Sequence, residues 1–306
     1  MNPNLPLQGL WCATLSPLDA AGGLDSGRLA MHARRLFASG VDGIAPFGTT
    51  GEGQSFSVAE RRAGLDALLA AGIAPQRILA ATGCAALPDA IELTRHAISA
   101  GCAGALVLPP FFFKDVSDEG IYAAYAQLID GVGDNRLRVY LYHIPQVSGV
   151  GLSVATVSRL AAAYPAIVAG VKDSAGSFEN SRALVAALPG LSIFVGHEPH
   201  LPALRKLGGA GTICGIANLY PHLMRRLYDH SLDSNPGAEL PLIEAFIAAL
   251  MRFPIFGALK SLQAELSGDA GWRGLRAPLL PLSDADARAL KQAVAAAGIV
   301  PERDGA

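Results

Sequence analysis

Charge is scarce in this chain. Only 16% of its 306 residues are Asp, Glu, Lys or Arg, and 24 basic residues nearly balance 26 acidic ones. There is no block of cations to displace counterions from a phosphate backbone, so no nucleic-acid partner is expected. Cysteine is also rare. Cys12, Cys84, Cys102 and Cys214 show neither CxxC spacing nor a disulfide framework, which points to free, mostly buried thiols in a reducing cytoplasm. Long hydrophobic runs are missing as well. Uncharged stretches such as 97–113 are broken by Gly and Pro, and none offers the ~20 apolar residues of a membrane span. The opening MNPNLPLQGL has no positive region leading into an apolar one, so no export signal is read there. What the chain does have is apolar mass. With 51% hydrophobic residues it can fill a sizeable core, in one large domain or two ordinary ones, and disorder is excluded as its main theme. A soluble, cytoplasmic protein with no membrane partner is expected.

Short apolar or β-branched runs alternate with Ala/Leu/Arg-rich segments of helical spacing. Candidate strands cover 10–18, 41–48, 77–83, 103–109, 138–144, 167–174, 192–198 and 211–215. Between them lie helical patterns such as 27–39, 58–71, 88–100, 118–131 and 154–163. Ser26, Ser57, Ser117, Ser153 and Ser177 stand where helix N-caps are wanted. Gly40, Gly72 and Gly101 stand where left-handed helix ends are wanted. This alternation calls for parallel strands covered by helices. An open doubly wound sheet competes with a closed barrel, but no GxGxxG follows the first strand. Eight βα units over ~220 residues favour a (β/α)8 TIM barrel. After the breaker-rich DHSLDSNPGAE only helical patterns remain, at 240–251, 256–266 and 284–297. A barrel over 1–230 and a small C-terminal helical domain over 231–306 are therefore expected.

In such a barrel, chemistry belongs at the C-terminal ends of the strands. Of the five lysines, Lys172 alone lies in a predicted strand, IVAGVKDS, on one face with Gly170 and Ser174. Apolar surroundings disfavour an ammonium and leave a free amine able to attack a carbonyl; a snorkelling or Glu-paired lysine is the plainer alternative. In the preceding strand, RVYLYHIP, alternation puts Tyr140, Tyr142 and Ile144 on one face. Neighbouring strands lie ~4.8 Å apart, so Tyr142 can stand beside Lys172 and move protons for it; core packing is the alternative. The second strand ends in FGTTGEG. Gly48 and Gly51 permit a tight turn that turns N–H groups toward an anion, and Thr49 and Thr50 add hydroxyls. No Walker lysine follows, so a carboxylate is the natural guest, unless the segment is an ordinary βα turn.

GTTGE, YHIP with a following SG, and GVKDS, in that order, resemble the dihydrodipicolinate synthase/N-acetylneuraminate lyase family, and the resemblance spans essentially the whole chain. It implies a metal-independent and cofactor-independent class I aldolase, a homotetramer, whose lysine forms a Schiff base with pyruvate or another 2-oxo acid. By that resemblance Lys172 forms the adduct, and Tyr142 shuttles protons. Thr49 and Thr50 hold the carboxylate, with Thr49 also in the relay. Ile213, in GTICG, offers backbone to the pyruvate pocket. Gly196, His197 and Glu198, in VGHEPH, match a loop that contacts distal hydroxyls in the family's lyases. A His/Glu pair with no third ligand is a thin case for metal.

Three positions depart from the family pattern. Val147 stands where dihydrodipicolinate synthases carry an arginine for the second substrate's carboxylate, and valine cannot form that bidentate pair. Phe112 stands where a neighbouring subunit often lends a tyrosine. His143 replaces an asparagine, and alternation turns it toward the helix layer as a structural residue. The expected reaction is cleavage or dehydration of a 2-keto-3-deoxy sugar acid, with pyruvate as product or co-substrate and an aldehyde as partner. Dihydrodipicolinate synthase and a non-catalytic 2-oxo-acid-binding barrel are the alternatives.

Overall fold

Eight strands carry the architecture: β1 (Gly9–Cys12), β2 (Gly43–Ile44), β3 (Leu79–Ala81), β4 (Gly104–Val107), β5 (Val139–His143), β6 (Val168–Asp173), β7 (Ser192–Val195) and β8 (Gly211–Cys214). The computed structural model describes residues 6–233, 237 and 239–299. Residues 1–5, part of the DHSLDSNPGAE stretch and the tail 300–306 lie outside the described residues. Nine helices accompany the strands: α1 (Ser26–Ala38), α2 (Val58–Ala70), α3 (Leu87–Ser99), α4 (Asp118–Val132), α5 (Pro145–Ser148), α6 (Val154–Ala163), α7 (Phe178–Ala187), α8 (Leu201–Lys206) and α9 (Pro221–Asp229). Three more follow: α10 (Glu239–Leu250), α11 (Ile255–Ser267) and α12 (Asp284–Ala296).

Local chemistry starts and stops these helices much as the sequence suggests. Ser57 and Glu60 form a reciprocal capping box on α2. Ser117 and Ser153 accept from the Gly120 and Thr156 N–H groups. Ser177 occupies the cap position of α7 without a side-chain bond. Ser26 is a correction: it lies inside α1, and the cap is Asp25, whose carboxylate accepts from Arg28 N–H at 2.8 Å and also pairs with the Arg28 guanidinium. Gly40, Gly72 and Gly101 have φ of 86°, 82° and 79°, the left-handed values expected at their helix ends. Strands are shorter than the sequence pattern. The first ends at Cys12, because the chain beyond it turns into a loop where Leu15 N–H binds the Asn218 side chain.

All strand pairs are parallel, in the order β2-β1-β8-β7-β6-β5-β4-β3. One bridge, Ile44 to Ile78, and the Ala81 N–H to Pro46 carbonyl bond at 3.2 Å bring the two ends together. The barrel interior is a packed cluster that includes Trp11, Leu79, Tyr140, Phe194 and Ile213. Gly170 exists for this packing: a Cβ there would lie 2.3 Å from the Ser192 carbonyl oxygen and 2.7 Å from the Tyr140 ring. Outside the strands, a second core joins them to the helices and extends to Ile243 and Phe246 of α10. Phe246 meets Tyr220 edge-on at 5.1 Å.

Candidate active site

The register of β5 on β6 places Tyr142 opposite Lys172, and both side chains are buried. Lys172 Nζ lies 4.4 Å from the centre of the Tyr142 ring. The Tyr142 hydroxyl is 3.3 Å from Thr49 Oγ1, at the end of β2. Amine, phenol and hydroxyl thus stand in sequence at the C-terminal end of the barrel, the first two from adjacent strands and the third from the turn beyond β2. Such a group can attack a carbonyl and pass a proton to or from the adduct.

The GTTGE segment forms a tight turn, as the sequence suggests. Left-handed backbone falls on Phe47 (φ 60°) and Glu52 (φ 53°), not on Gly48 or Gly51. Two non-glycine residues in this region mark a turn over-determined by its surroundings. The turn closes on itself: Glu52 N–H donates to the Thr49 carbonyl and Gly53 N–H to the Gly48 carbonyl, both at 3.0 Å. Gly53 admits no side chain, since a Cβ would fall 1.7 Å from the Phe47 carbonyl oxygen. Gly51 is buried, and its carbonyl accepts from Ser16 Oγ at 2.7 Å. Thr50 is half-buried and faces Gly215, just beyond β8.

An ion pair anchors the turn from outside the barrel. Glu52 Oε1 lies 2.5 Å from Lys260 Nζ of α11, with the two side chains 1% and 0% exposed. Lys260 also donates to the Gly274 carbonyl at 2.7 Å. Burial pushes the Glu52 carboxyl up and the Lys260 amine down, and each charge opposes that shift in the other. Nearby, Arg276 reaches the Gly22 and Ser55 carbonyls, both at 2.8 Å, and the Glu60 carboxylate at 2.5 Å. The Arg276 contact, with help from Ser57, holds the Glu60 carboxyl at about 2.

The structure brings Ile213 to the buried barrel interior. Gly196 follows β7 and donates its N–H to the Asp173 carbonyl at 2.7 Å. Glu198 is buried, its Oε1 receives the Ile216 N–H at 3.3 Å, and burial raises its carboxyl above the ordinary range. His197 is half-buried, packs edge-on against His200 at 4.6 Å, and is pushed down by burial. His143 turns away from Lys172, as alternation predicts, and its Nδ1 accepts from Leu152 N–H at 2.8 Å. Phe112 is 72% exposed and brings no hydroxyl to the site. All four cysteines are free, with three buried and Cys102 half-buried. Among the described residues no group of three or more His, Cys, Asp or Glu side chains is placed to hold a metal ion. No single described helix is long and apolar enough to cross a membrane.

Two features escaped the sequence reading. One is the Glu52–Lys260 pair, although both residues lie in segments that stood out. The other is a cavity of about 190 Å³ that opens from Thr49 and Tyr142, walled by Phe47, Leu106, Leu108, Ile144, Val147 and Phe256. It lies on the β2–β5 side, whereas Gly196, His197 and Glu198 lie on the β7–β8 side. Val147 was the one visible sign of it.

The sequence matches the Dihydrodipicolinate synthetase family over residues 6–297. A DapA-like lyase of uncharacterised activity from Chloroflexus aurantiacus is 36% identical over 291 residues, covering 94% of this chain and 95% of that protein. A 4-hydroxy-tetrahydrodipicolinate synthase from Synechococcus sp. (strain WH7803) is 32% identical over 304 residues, covering 95% of each. The crystal structure of dihydrodipicolinate synthase from Agrobacterium tumefaciens superposes with a TM-score of 0.88 at 37% identity, covering 94% of this chain and 98% of that one. The 2-keto-3-deoxygluconate aldolase of Sulfolobus solfataricus shares the fold, with a TM-score of 0.84 at 20% identity, over 94% of this chain and 95% of that one. The chain belongs to the dihydrodipicolinate synthetase family, a family of class I pyruvate-dependent lyases.

Proposed function

We propose that Lys172 forms a Schiff base with pyruvate or another 2-oxo acid, and that the enzyme then cleaves or dehydrates a 4-hydroxy-2-oxo acid whose distal part carries no carboxylate. The observation that carries this is the Lys172–Tyr142–Thr49 sequence, with Nζ 4.4 Å from the Tyr142 ring and the phenol 3.3 Å from Thr49. In this reading Tyr142 takes and returns the proton of the breaking bond, and Thr49 passes it on. Thr50 and the backbone of Gly48, Gly51 and Ile213 receive the 2-oxo acid carboxylate. Dihydrodipicolinate synthesis fits less well: Val147 is in the cavity wall where an arginine is wanted, and no Lys, Arg or His lines that cavity. A 2-keto-3-deoxy sugar acid is a second reading, favoured by His197 at the rim of β7, which has hydrogen-bonding capacity to offer hydroxyls. The proposal carries with it a barrel domain over 1–230 with helices beyond, a tetrameric assembly and a cytoplasmic setting.

Borohydride reduction in the presence of pyruvate tests the proposal. A reduced adduct on the peptide containing Lys172 is expected. No adduct, or one confined to another lysine, overturns it.

A further inference from the structure

The cavity beside Tyr142 is unlike a sugar subsite. Its walls are apolar side chains from the ends of β2, β4 and β5, closed by Phe256 from α11. Gln54, Ser55, Ser148 and Glu52 also reach it, and three of them have partners of their own. Gln54 Nε2 donates to the Gly83 carbonyl at 2.9 Å, and Ser148 Oγ is held by the Val150 backbone, donating to its carbonyl at 2.7 Å. The one carboxylate, Glu52, faces Lys260. Thr49 and the Tyr142 phenol stand together at one end, and the wall beyond them is mostly hydrocarbon from Phe47, Leu106, Leu108, Ile144, Val147 and Phe256. Hydroxyls placed deeper would exchange water for hydrocarbon, and a carboxylate would find no Lys, Arg or His among the described lining residues. The size fits a ring: an apolar cavity of about 150 Å³ accommodates benzene, and this one measures about 190 Å³.

We propose that this cavity receives an apolar aldehyde substituent, an aryl or branched alkyl group, so that the enzyme's aldehyde partner is hydrophobic rather than a hydroxyaldehyde or a carboxylated aldehyde. The inference rests on the Schiff-base reading above. The Lys172 amine condenses with the C2 carbonyl of R–CH(OH)–CH2–CO–COO⁻ and releases water. The C4 hydroxyl gives its proton to the Tyr142 oxygen, whose own proton moves to Thr49, as the C3–C4 bond breaks, and the same relay run backward later supplies the C3 proton. The bonding pair stays on C3 as an enamine, and R–CHO departs from a position with R in the cavity. Protonation of C3 and addition of water then release pyruvate and free Lys172. One molecule of 4-hydroxy-2-oxo acid gives one aldehyde and one pyruvate, with no redox change and no outside reactant.

The test measures condensation of pyruvate with benzaldehyde, 3-methylbutanal, glyceraldehyde and aspartate semialdehyde on the full chain, beside borohydride trapping with pyruvate alone. Trapping on Lys172 with kcat/KM for an apolar aldehyde at least about tenfold above both polar ones is expected, given the size of a fully buried hydrocarbon group. Trapping with a preferred polar aldehyde, with no preference, or with no aldehyde turnover overturns the inference and leaves the Schiff-base reading standing. Absence of trapping overturns the Schiff-base reading itself and the inference with it.

Discussion

Lys260→Met separates a buried ion pair from the turn that it anchors. The thioether nearly matches the lysine stem in length, so the change removes the ammonium and leaves packing largely intact. Glu52, at 1% side-chain exposure, then loses its ion-pair partner and keeps only the Arg276 backbone N–H and the more distant Arg276 charge, and the Gly274 carbonyl loses its donor. Breaking one half of a buried pair costs about 3–5 kcal/mol, and at about 2–4 °C per kcal/mol the midpoint of thermal unfolding should fall by roughly 6–20 °C. Replacing both partners by apolar residues removes the stranded charge, so Glu52→Leu with Lys260→Met should recover most of that loss. The two variants and the parent are compared by thermal unfolding at pH 7.5. The sign of the pH dependence follows from the same cause. In Lys260→Met the lone Glu52 carboxyl binds its proton more tightly folded than unfolded, so the deficit shrinks as pH falls from 7 toward 5. Because Glu52 sits two residues beyond Thr50 in left-handed backbone, the single variant should also bind pyruvate less well, read as a higher KM. A loss below about 1 kcal/mol in the single variant, or a double variant as unstable as the single, refutes the reasoning.

Tyr142→Phe should lower turnover by roughly 10²–10⁴-fold while the borohydride-trapped pyruvate adduct still forms, because it removes the proton carrier and keeps the ring beside Lys172; unchanged turnover rejects that role. Val147→Arg should raise kcat/KM for aspartate semialdehyde by about tenfold or more, the worth of a charge-assisted hydrogen bond to its carboxylate; no gain would place the carboxylate elsewhere. Glu60, held at about 2 by Arg276, has a folded pKa below its unfolded value. Its contribution is therefore present above about pH 4.5 and disappears as pH falls toward 2, by no more than about 1 kcal/mol for so solvent-accessible a pair. Acid titration of stability should lose that part of its slope in Glu60→Gln.

The barrel and the adjacency of Tyr142 and Lys172 were legible because period and adjacency are local facts. Alternation along β5 and β6 puts Tyr142 and Lys172 on the inner face, and consecutive strands of a barrel pair with each other. Caps were readable for the same reason, with Asp25 rather than Ser26 as the exception, since both side chains can cap and only the backbone geometry chooses between them. What could not be read depends on residues far apart in sequence. Glu52 and Lys260 are joined only when α11 folds back over the barrel. The cavity needs Phe47, Leu106, Ile144 and Phe256 to converge, and no spacing rule links them. The left-handed φ of Phe47 and Glu52 could not be read either, because surrounding structure rather than residue type imposes it.

The two halves of the barrel mouth differ in how tightly their backbones are knit. β5 and β6 share five register pairs, ending at Tyr142–Lys172 and His143–Asp173. β2 has two residues, and its junction with β3 rests on the Ile44–Ile78 bridge and the Ala81–Pro46 bond. Phe47 and Ala81, directly beyond that junction, are cavity wall. The stiff half carries the amine and the phenol, whose mutual position must hold to fractions of an ångström for proton transfer. The other half carries Phe47 and Ala81 of the hydrocarbon wall, which tolerates small displacements because burial is non-directional, together with Thr49. The wall formed by Phe47, Leu106 and Leu108 can be recut for a larger or smaller guest while the spacing of Tyr142 and Lys172 stays as the β5–β6 ladder sets it.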